Sequence, residues 1–330
     1  MYLGIDIHKR YSQVAVVDDD GNLQQESRLP NDRLADLAEE YAGSEAAIEA
    51  SGNYRPIYET LDEHCDVTLV DPSKNRIIAE ATVKTDRVDA KRLALMLRAD
   101  MLAESYVPSD EIRELRDLVR TRKALVEERT AEKNRVQAVL ARTDNTYESE
   151  LFGPNGREFL AELSLSRVNR KIVEAHLSVI DEYDAQIEIF DKEISKRVVE
   201  SPAAQRLLTI PGVGETTAAT VLAEVGEIER FDRDKELVSY AGLDPEVHQS
   251  GDTEIRGSIS KEGSAPLRWT LVQSALVAVQ YDDYLGNFYT RLKSRKNHQI
   301  AIVATARKLL VSMFHMLTRK EPYNPPEVNT

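Results

Sequence analysis

Tyr2-Leu3-Gly4-Ile5-Asp6-Ile7, then Gln13-Val14-Ala15-Val16-Val17, then Leu23-Gln24-Gln25-Glu26-Ser27-Arg28-Leu29 is the stretch on which the reading of this chain turns. The three segments read as successive strands, and Asp18-Asp19-Asp20-Gly21-Asn22 is a polar hairpin turn between the second and third, which predicts an antiparallel meander. The pattern beyond them predicts a helix at Asp32 to Tyr41, a strand at Ala46 to Ala50, a helix at Arg55 to His64, a strand at Val67 to Val70 and a long helix from about Thr85 to Ala103.

Three strands followed by helix and strand in alternation is the order of an α/β RNase H-like domain, expected over residues 1–108. Four carboxylates sit where such a domain would carry its chemistry. Asp6 lies within the first strand between Ile5 and Ile7, so alternation turns it to the face opposite its apolar neighbours. Glu49 is a second charge inside an apolar strand, in Ala47-Ile48-Glu49-Ala50. Asp86 and Asp89 are three apart, which on a helix gives both carboxylates one face. Singly, each has a plain structural reading: Asp86 as a helix cap, Asp89 as a first-turn acid, Asp6 as a strand-end turn residue, Glu49 as the partner of a buried base. Jointly, carboxylates converging from two strands and a helix repel unless cations neutralise them, and hard oxygen donors suit Mg²⁺ or Mn²⁺. Two such ions stabilise the attacking and leaving oxygens of a phosphodiester displacement, so phosphoryl transfer is the expected chemistry. His8 and Lys9, just past the first strand, could touch phosphate, but a solvated strand end is the better reading.

The whole-chain figures bound the function. At 330 residues and 37.2 kDa the chain exceeds what one hydrophobic core usually holds. No uncharged run approaches the roughly 20 residues of a bilayer-spanning helix, and the amino terminus lacks the pattern of a secretory signal, so a cytoplasmic protein with no membrane partner is expected. One cysteine, Cys65, makes neither an internal disulfide nor a thiolate zinc site. The net charge of −14 argues at first sight against nucleic acid, but it divides as −9 over residues 1–108, −4 over 109–200 and −1 over 201–330.

Residues 109–200 carry no plausible strand. Val173, His176, Ile180, Tyr183, Ile187, Phe190 and Ile194 recur at spacings of three and four, a coiled-coil seam, and Ile112, Leu115, Val119, Val126, Val136 and Leu140 form a weaker one interrupted by Arg122, Arg129 and Lys133. Gly153-Pro154-Asn155-Gly156 separates the two. The seams fit an antiparallel intramolecular pair and equally a homo-oligomer, dimer or tetramer. Basic residues along the first stretch read mainly as an exposed face held by i,i+4 pairs.

Residues 201–330 are mostly helical. Leu207 to Val225, centred on Ile210-Pro211-Gly212-Val213-Gly214, resembles a helix-hairpin-helix motif, whose Gly212 and Gly214 let backbone amides approach a phosphate; a ligand-free interhelical turn reads as well. Residues 239–263 read as a loop rich in hydroxyls and glycine, resting on apolar helices at Pro266 to Tyr281 and Ile300 to Leu317.

Gly4-Ile5-Asp6-Ile7-His8-Lys9, the Glu49 strand ending in Ser51-Gly52-Asn53-Tyr54, Lys84-Thr85-Asp86-Arg87-Val88-Asp89-Ala90, Ile210 to Gly214, and Ser250-Gly251 through Lys261-Glu262-Gly263 with Leu267-Arg268 occur in one order. Together they resemble the DEDD transposases of the IS-one-ten insertion-sequence family, relatives of the Piv-type DNA invertases. The resemblance implies a RuvC-like domain whose acids match Asp6, Glu49, Asp86 and Asp89 and bind Mg²⁺ (or Mn²⁺), a coiled-coil middle, and a carboxyl-terminal transposase domain with Ser250 at the position of a serine nucleophile. It implies a covalent phosphoserine link to DNA, donor and target DNA as substrates, and a structured bridge RNA that selects the sites by base pairing. After Ser250-Gly251 the family usually continues with glycine and a basic residue, whereas this chain has Asp252, Thr253 and Glu254. Arg256, Lys261 and Arg268 are therefore the expected nucleic-acid contacts, with Ser258, Ser260 and Tyr240 as fallback nucleophiles. Two other readings stay open: a RuvC-like hydrolytic junction nuclease with no covalent intermediate, and a non-catalytic nucleic-acid-binding protein.

Overall fold

The computed structural model describes residues 1–50, 52, 54–72, 86–250 and 253–326, and for 246–250 and 253–258 the backbone only. The chain divides into two compact units, Met1–Val107 and Pro108–Thr330.

In the first unit, β1 (Tyr2–Ile7), β2 (Tyr11–Val17) and β3 (Leu23–Pro30) form the antiparallel meander. A short 3₁₀ turn leads into α1 (Leu34–Glu40); β4 (Glu45–Glu49), α2 (Tyr54–Asp62), β5 (Asp66–Val70) and α3 (Asp86–Arg98) follow. The sheet order is β3-β2-β1-β4-β5, with β4 parallel to β1 and β5 parallel to β4. This mixed sheet fits an RNase H-like domain.

Strand alternation sorts the sheet into two faces. Leu3 and Ile5 of β1, Ala46 and Ile48 of β4, and Val67 and Leu69 of β5 join Leu34, Leu37 and Leu61 in one buried cluster. The intervening residues face α3, where Ala47 and Val70 pack with Leu97. Gly4 belongs to that second face. A β-carbon there would lie 2.0 Å from the Ala90 carbonyl oxygen and 2.4 Å from the Ala94 amide nitrogen, so α3 rests directly on the backbone of β1. Ala90 and Ala94 on the helix keep the same approach short from the other side.

The second unit starts with α4 (Asp110–Arg142), α5 (Pro154–Glu162) and α6 (Arg167–Glu200). Helices α4 and α6 pair with each other in antiparallel sense: Glu114 meets Arg197 at 2.7 Å, Arg122 meets Asp191 at 2.5 Å, Arg129 meets Asp184 at 2.5 Å and Glu132 meets His176 at 2.5 Å. Arg122 and Arg129, which break the seam in sequence, are thus the residues that reach across it. Along α6, Val173, Ile180, Ile187 and Ile194 are buried at every seventh position, and the alternate His176, Tyr183 and Phe190 are partly exposed.

The remaining helices are α7 (Pro202–Leu207), α8 (Glu215–Val225), α9 (Asp234–Tyr240), α10 (Ala265–Tyr281), α11 (Asp283–Lys293) and α12 (His298–Arg319). Among the described residues, α12 is long and apolar enough by composition to cross a membrane. Arg307 and Lys308 interrupt its apolar run, and its Ala306, Leu309, Leu310, Met313 and Leu317 lie inside the unit's main hydrophobic cluster, so it is a core helix here. The reading of residues 239–263 as a loop is corrected: β6 (Pro245–Ser250) and β7 (Thr253–Ile259) form an antiparallel hairpin. Their few apolar residues, with Pro245 and Gly257 among them, conceal a strand pattern.

Glu224 ties these elements together. Its side chain is wholly buried and accepts two hydrogen bonds of 2.8 Å from Arg120 of α4 and one of 2.9 Å from the Ser264 hydroxyl. Burial pushes the Glu224 carboxyl upward, but Arg120, Ser264 and Arg116 outweigh it and hold the group below the usual glutamate range.

Because the helix–strand contact in the first unit is backbone on backbone, Gly4→Ala is expected to destabilise that unit by about 1–3 kcal/mol, the cost of overpacking. Urea denaturation of the full chain measures it; an unchanged transition contradicts the close approach.

Candidate active site

Asp6 stands two residues beyond Gly4 on the same face of β1, under the first turn of α3. That turn contributes Asp86 and Asp89. His8, past the end of β1, places Nε2 at 3.3 Å from an Asp6 carboxylate oxygen and 3.1 Å from one of Asp86. The donor atoms of Asp6, His8 and Asp86 all lie within 4.8 Å of one another. Asp89 is close enough to act on the Asp6 carboxyl electrostatically, and Arg92 approaches Asp89 at 3.7 Å. Glu49 closes β4: the register sets Ile48 beside Ile5, and alternation from Ala47 turns Glu49 to the α3 face, the one Asp6 occupies. Asp6, Asp86 and Asp89 are thus brought together, and alternation puts Glu49 on the same sheet face as Asp6.

The electrostatics match a cation pocket. Asp6 is only 19% exposed, and burial, with the Asp86 and Asp89 charges, pushes its carboxyl above the ordinary aspartate range despite the opposing pull of His8. The charge excess and the hard oxygen donors fit a divalent ion.

The second unit holds the remaining candidates. Ser250 ends β6 and pairs with Thr253 of β7; its side chain, like those of Arg256 and Ser258, lies outside the described residues, as do Ser51, Asn53, Lys84 and Thr85. The hairpin's root is firmly built. The Ser260 hydroxyl donates to Asp244 at 2.9 Å, the Tyr240 hydroxyl donates to the Glu224 carbonyl at 3.0 Å, and an Arg268 guanidinium N–H donates to the Ala241 carbonyl at 3.0 Å. Ser260 and Tyr240 are thus engaged in structure, whereas Lys261 is exposed. Gly212 has φ +87°, and a β-carbon there would meet the Ala278 amide nitrogen of α10 at 2.7 Å, so that glycine serves packing; at Gly214 no atom of the described residues lies within 4 Å of the position of a β-carbon.

Comparison with known proteins gives these elements a common origin. Residues 204–290 match a family model described as "Transposase IS116/IS110/IS902 family", and residues 3–144 match a second, described as a transposase, for the DEDD domain of IS110 elements. The chain belongs to the IS110 family of transposases. It is 25% identical to the transposase for insertion sequence element IS1111A of Coxiella burnetii, over 97% of this chain and 90% of that protein. It is 26% identical to a probable family 20 transposase of Pseudomonas aeruginosa, over 98% of both chains. A pilin gene-inverting protein of Moraxella bovis is 34% identical over 37% of this chain and 38% of its own length. As an IS110-family transposase the protein is a DNA-cutting and rejoining enzyme whose DEDD domain depends on divalent metal.

Two residues of this transposase's site escape the sequence reading. Gly4 passes as an ordinary strand residue, although it alternates with Asp6 and so shares its face. His8, read as a solvated strand end, instead reaches back between two of the acids; its position two past Asp6 is the signal that could have found it.

Asp6 carries a raised pKa in the folded chain, so without metal it disfavours folding increasingly as pH rises from the ordinary aspartate range through that raised value. In chelator, Asp6→Asn is therefore expected to melt higher than the parent near neutral pH, by about 2 °C or more, and to converge with it at low pH. Thermal melts across a pH series check this; a lower melting temperature for Asp6→Asn at neutral pH contradicts it.

Proposed function

We propose that this transposase cuts and rejoins DNA through Ser250, with Asp6, Glu49, Asp86 and Asp89 as the acidic site, and that a structured bridge RNA selects donor and target. The observation that carries the reading is the approach of Asp6, Asp86 and Asp89 to one another where α3 starts over β1, with Glu49 on the same sheet face as Asp6. Those four residues would hold Mg²⁺ or Mn²⁺, which supplies positive charge to the oxygens of a scissile phosphate.

In the proposed exchange the Ser250 hydroxyl oxygen bonds to the DNA phosphorus and loses its proton to water. One bridging P–O bond breaks, and the departing strand end takes up a proton as a free hydroxyl. A hydroxyl from the exchanged strand then attacks the phosphoserine and restores the serine, so the phosphodiester count is conserved without an external energy source. The position of Ser250 at the end of a strand ladder whose root is tied to α9 and α10 supports this role: a nucleophile on a braced hairpin is presented in a restricted set of geometries. Lys261, Arg268 and Arg256 flank the same segment and are proposed to contact backbone phosphates. In the helix-hairpin-helix-like turn, the phosphate-facing part is proposed to be Gly214, since Gly212 is taken up by packing on α10. Because base pairing with RNA carries the sequence readout, the protein needs to grip backbone and shape, which accommodates a modest supply of basic residues. The paired helices α4 and α6 are proposed to support a homo-oligomer through their exposed faces, as a coiled-coil arm.

The test is one preparation of full-length protein expressed together with its element. It is expected to carry an RNA of one defined size and, with donor DNA and Mg²⁺, to give a protein–DNA adduct on a denaturing gel that Ser250→Ala abolishes. Cleavage that survives in Ser250→Ala replaces this reading with a hydrolytic junction nuclease.

A further inference from the structure

The acid cluster contains a nitrogen that none of the four-carboxylate pattern accounts for. The His8 Nε2 atom is buried within a partly exposed side chain and lacks a well-formed hydrogen bond among the described residues, yet carboxylate oxygens of Asp6 and Asp86 stand 3.3 and 3.1 Å from it. These separations suit a shared ligand sphere: donors on adjacent corners of an octahedron with bonds of 2.0–2.1 Å are about 3.0 Å apart. The ring is also held in place. It stacks on Tyr11 at 4.6 Å between centroids, Tyr11 in turn bears the Arg28 guanidinium 3.5 Å from its ring centre, and the His8 backbone N–H donates to the Tyr11 carbonyl at 2.9 Å. A ring fixed by stacking and backbone is preorganised to present one nitrogen.

We infer that His8 is a metal ligand of this site, and that its imidazole biases the site toward Mn²⁺ over Mg²⁺. The inference rests on the proposed acidic metal site and adds a donor to it. Carboxylate and water suit both ions, but imidazole is a softer donor that favours the transition metal. Mg²⁺ also dehydrates reluctantly and gains little from a nitrogen ligand.

The experiment is a Mn²⁺ titration of the metal-free full-length protein, followed by electron paramagnetic resonance, with pulsed detection of nitrogen coupled to the bound ion and Mg²⁺ competition in parallel. The parent is expected to show one imidazole nitrogen coupled to Mn²⁺. His8→Ala, and His8→Gln as a variant of more similar size, are expected to lose that coupling, to bind Mn²⁺ about tenfold or more weakly and to leave Mg²⁺ affinity within about threefold. Bound Mn²⁺ without nitrogen coupling in the parent, released by Asp6→Asn, overturns the role of His8 and keeps the acidic site. Mn²⁺ binding that Asp6→Asn leaves unchanged overturns both.

Discussion

The contact on which the rest of the first unit depends is the seating of a helix on bare strand backbone. Gly4 has no side chain, and Ala90 and Ala94 have little, so α3 approaches β1 more closely than any larger residue allows. That approach decides where the helix begins to face the strand, and the acids of its first turn, Asp86 and Asp89, arrive over Asp6. Three negative groups so placed repel one another in a partly buried setting. The fold accepts that cost at one edge of an otherwise apolar face, the pattern expected where function, rather than stability, selects the residues.

How much of this is legible in the sequence depends on the period each residue obeys. Strand alternation makes Asp6 and Glu49 conspicuous, since a charge at an interior strand position stands out against Ile5, Ile7 and Ile48, and the three-residue spacing of Asp86 and Asp89 survives into the structure as one helix turn. His8 obeys the same alternation but sits beyond the strand's end, where period arguments lapse. The paired helices are half legible: the seven-residue burial of Val173, Ile180, Ile187 and Ile194 follows from the seam, but that the partner is α4 of the same chain emerges only when Arg122 and Arg129 are seen to meet Asp191 and Asp184. The hairpin β6–β7 is illegible because its residues are mainly polar, and a two-stranded ribbon needs backbone pairing more than an apolar face.

The second unit solves a different problem, which is to hold a polar two-stranded hairpin on a helical base. Glu224 does this from the core. By accepting from Arg120 of α4 and from Ser264, which also caps α10, it links the long helix pair to the segment that closes the hairpin. Tyr240 reaches the same residue's carbonyl from α9. A charge this deeply buried contributes mainly by fixing which arrangement is adopted, since its attraction to Arg120 first has to offset the loss of water.

The central claim is that close docking of α3 on β1 builds a divalent-ion pocket around Asp6. Anomalous scattering from crystals of the full-length protein soaked in Mn²⁺ tests it most directly. The account predicts a manganese peak within bonding distance of carboxylate oxygens of both Asp6 and Asp86; strong peaks confined to other places, with Asp6 and Asp86 bare, contradict it.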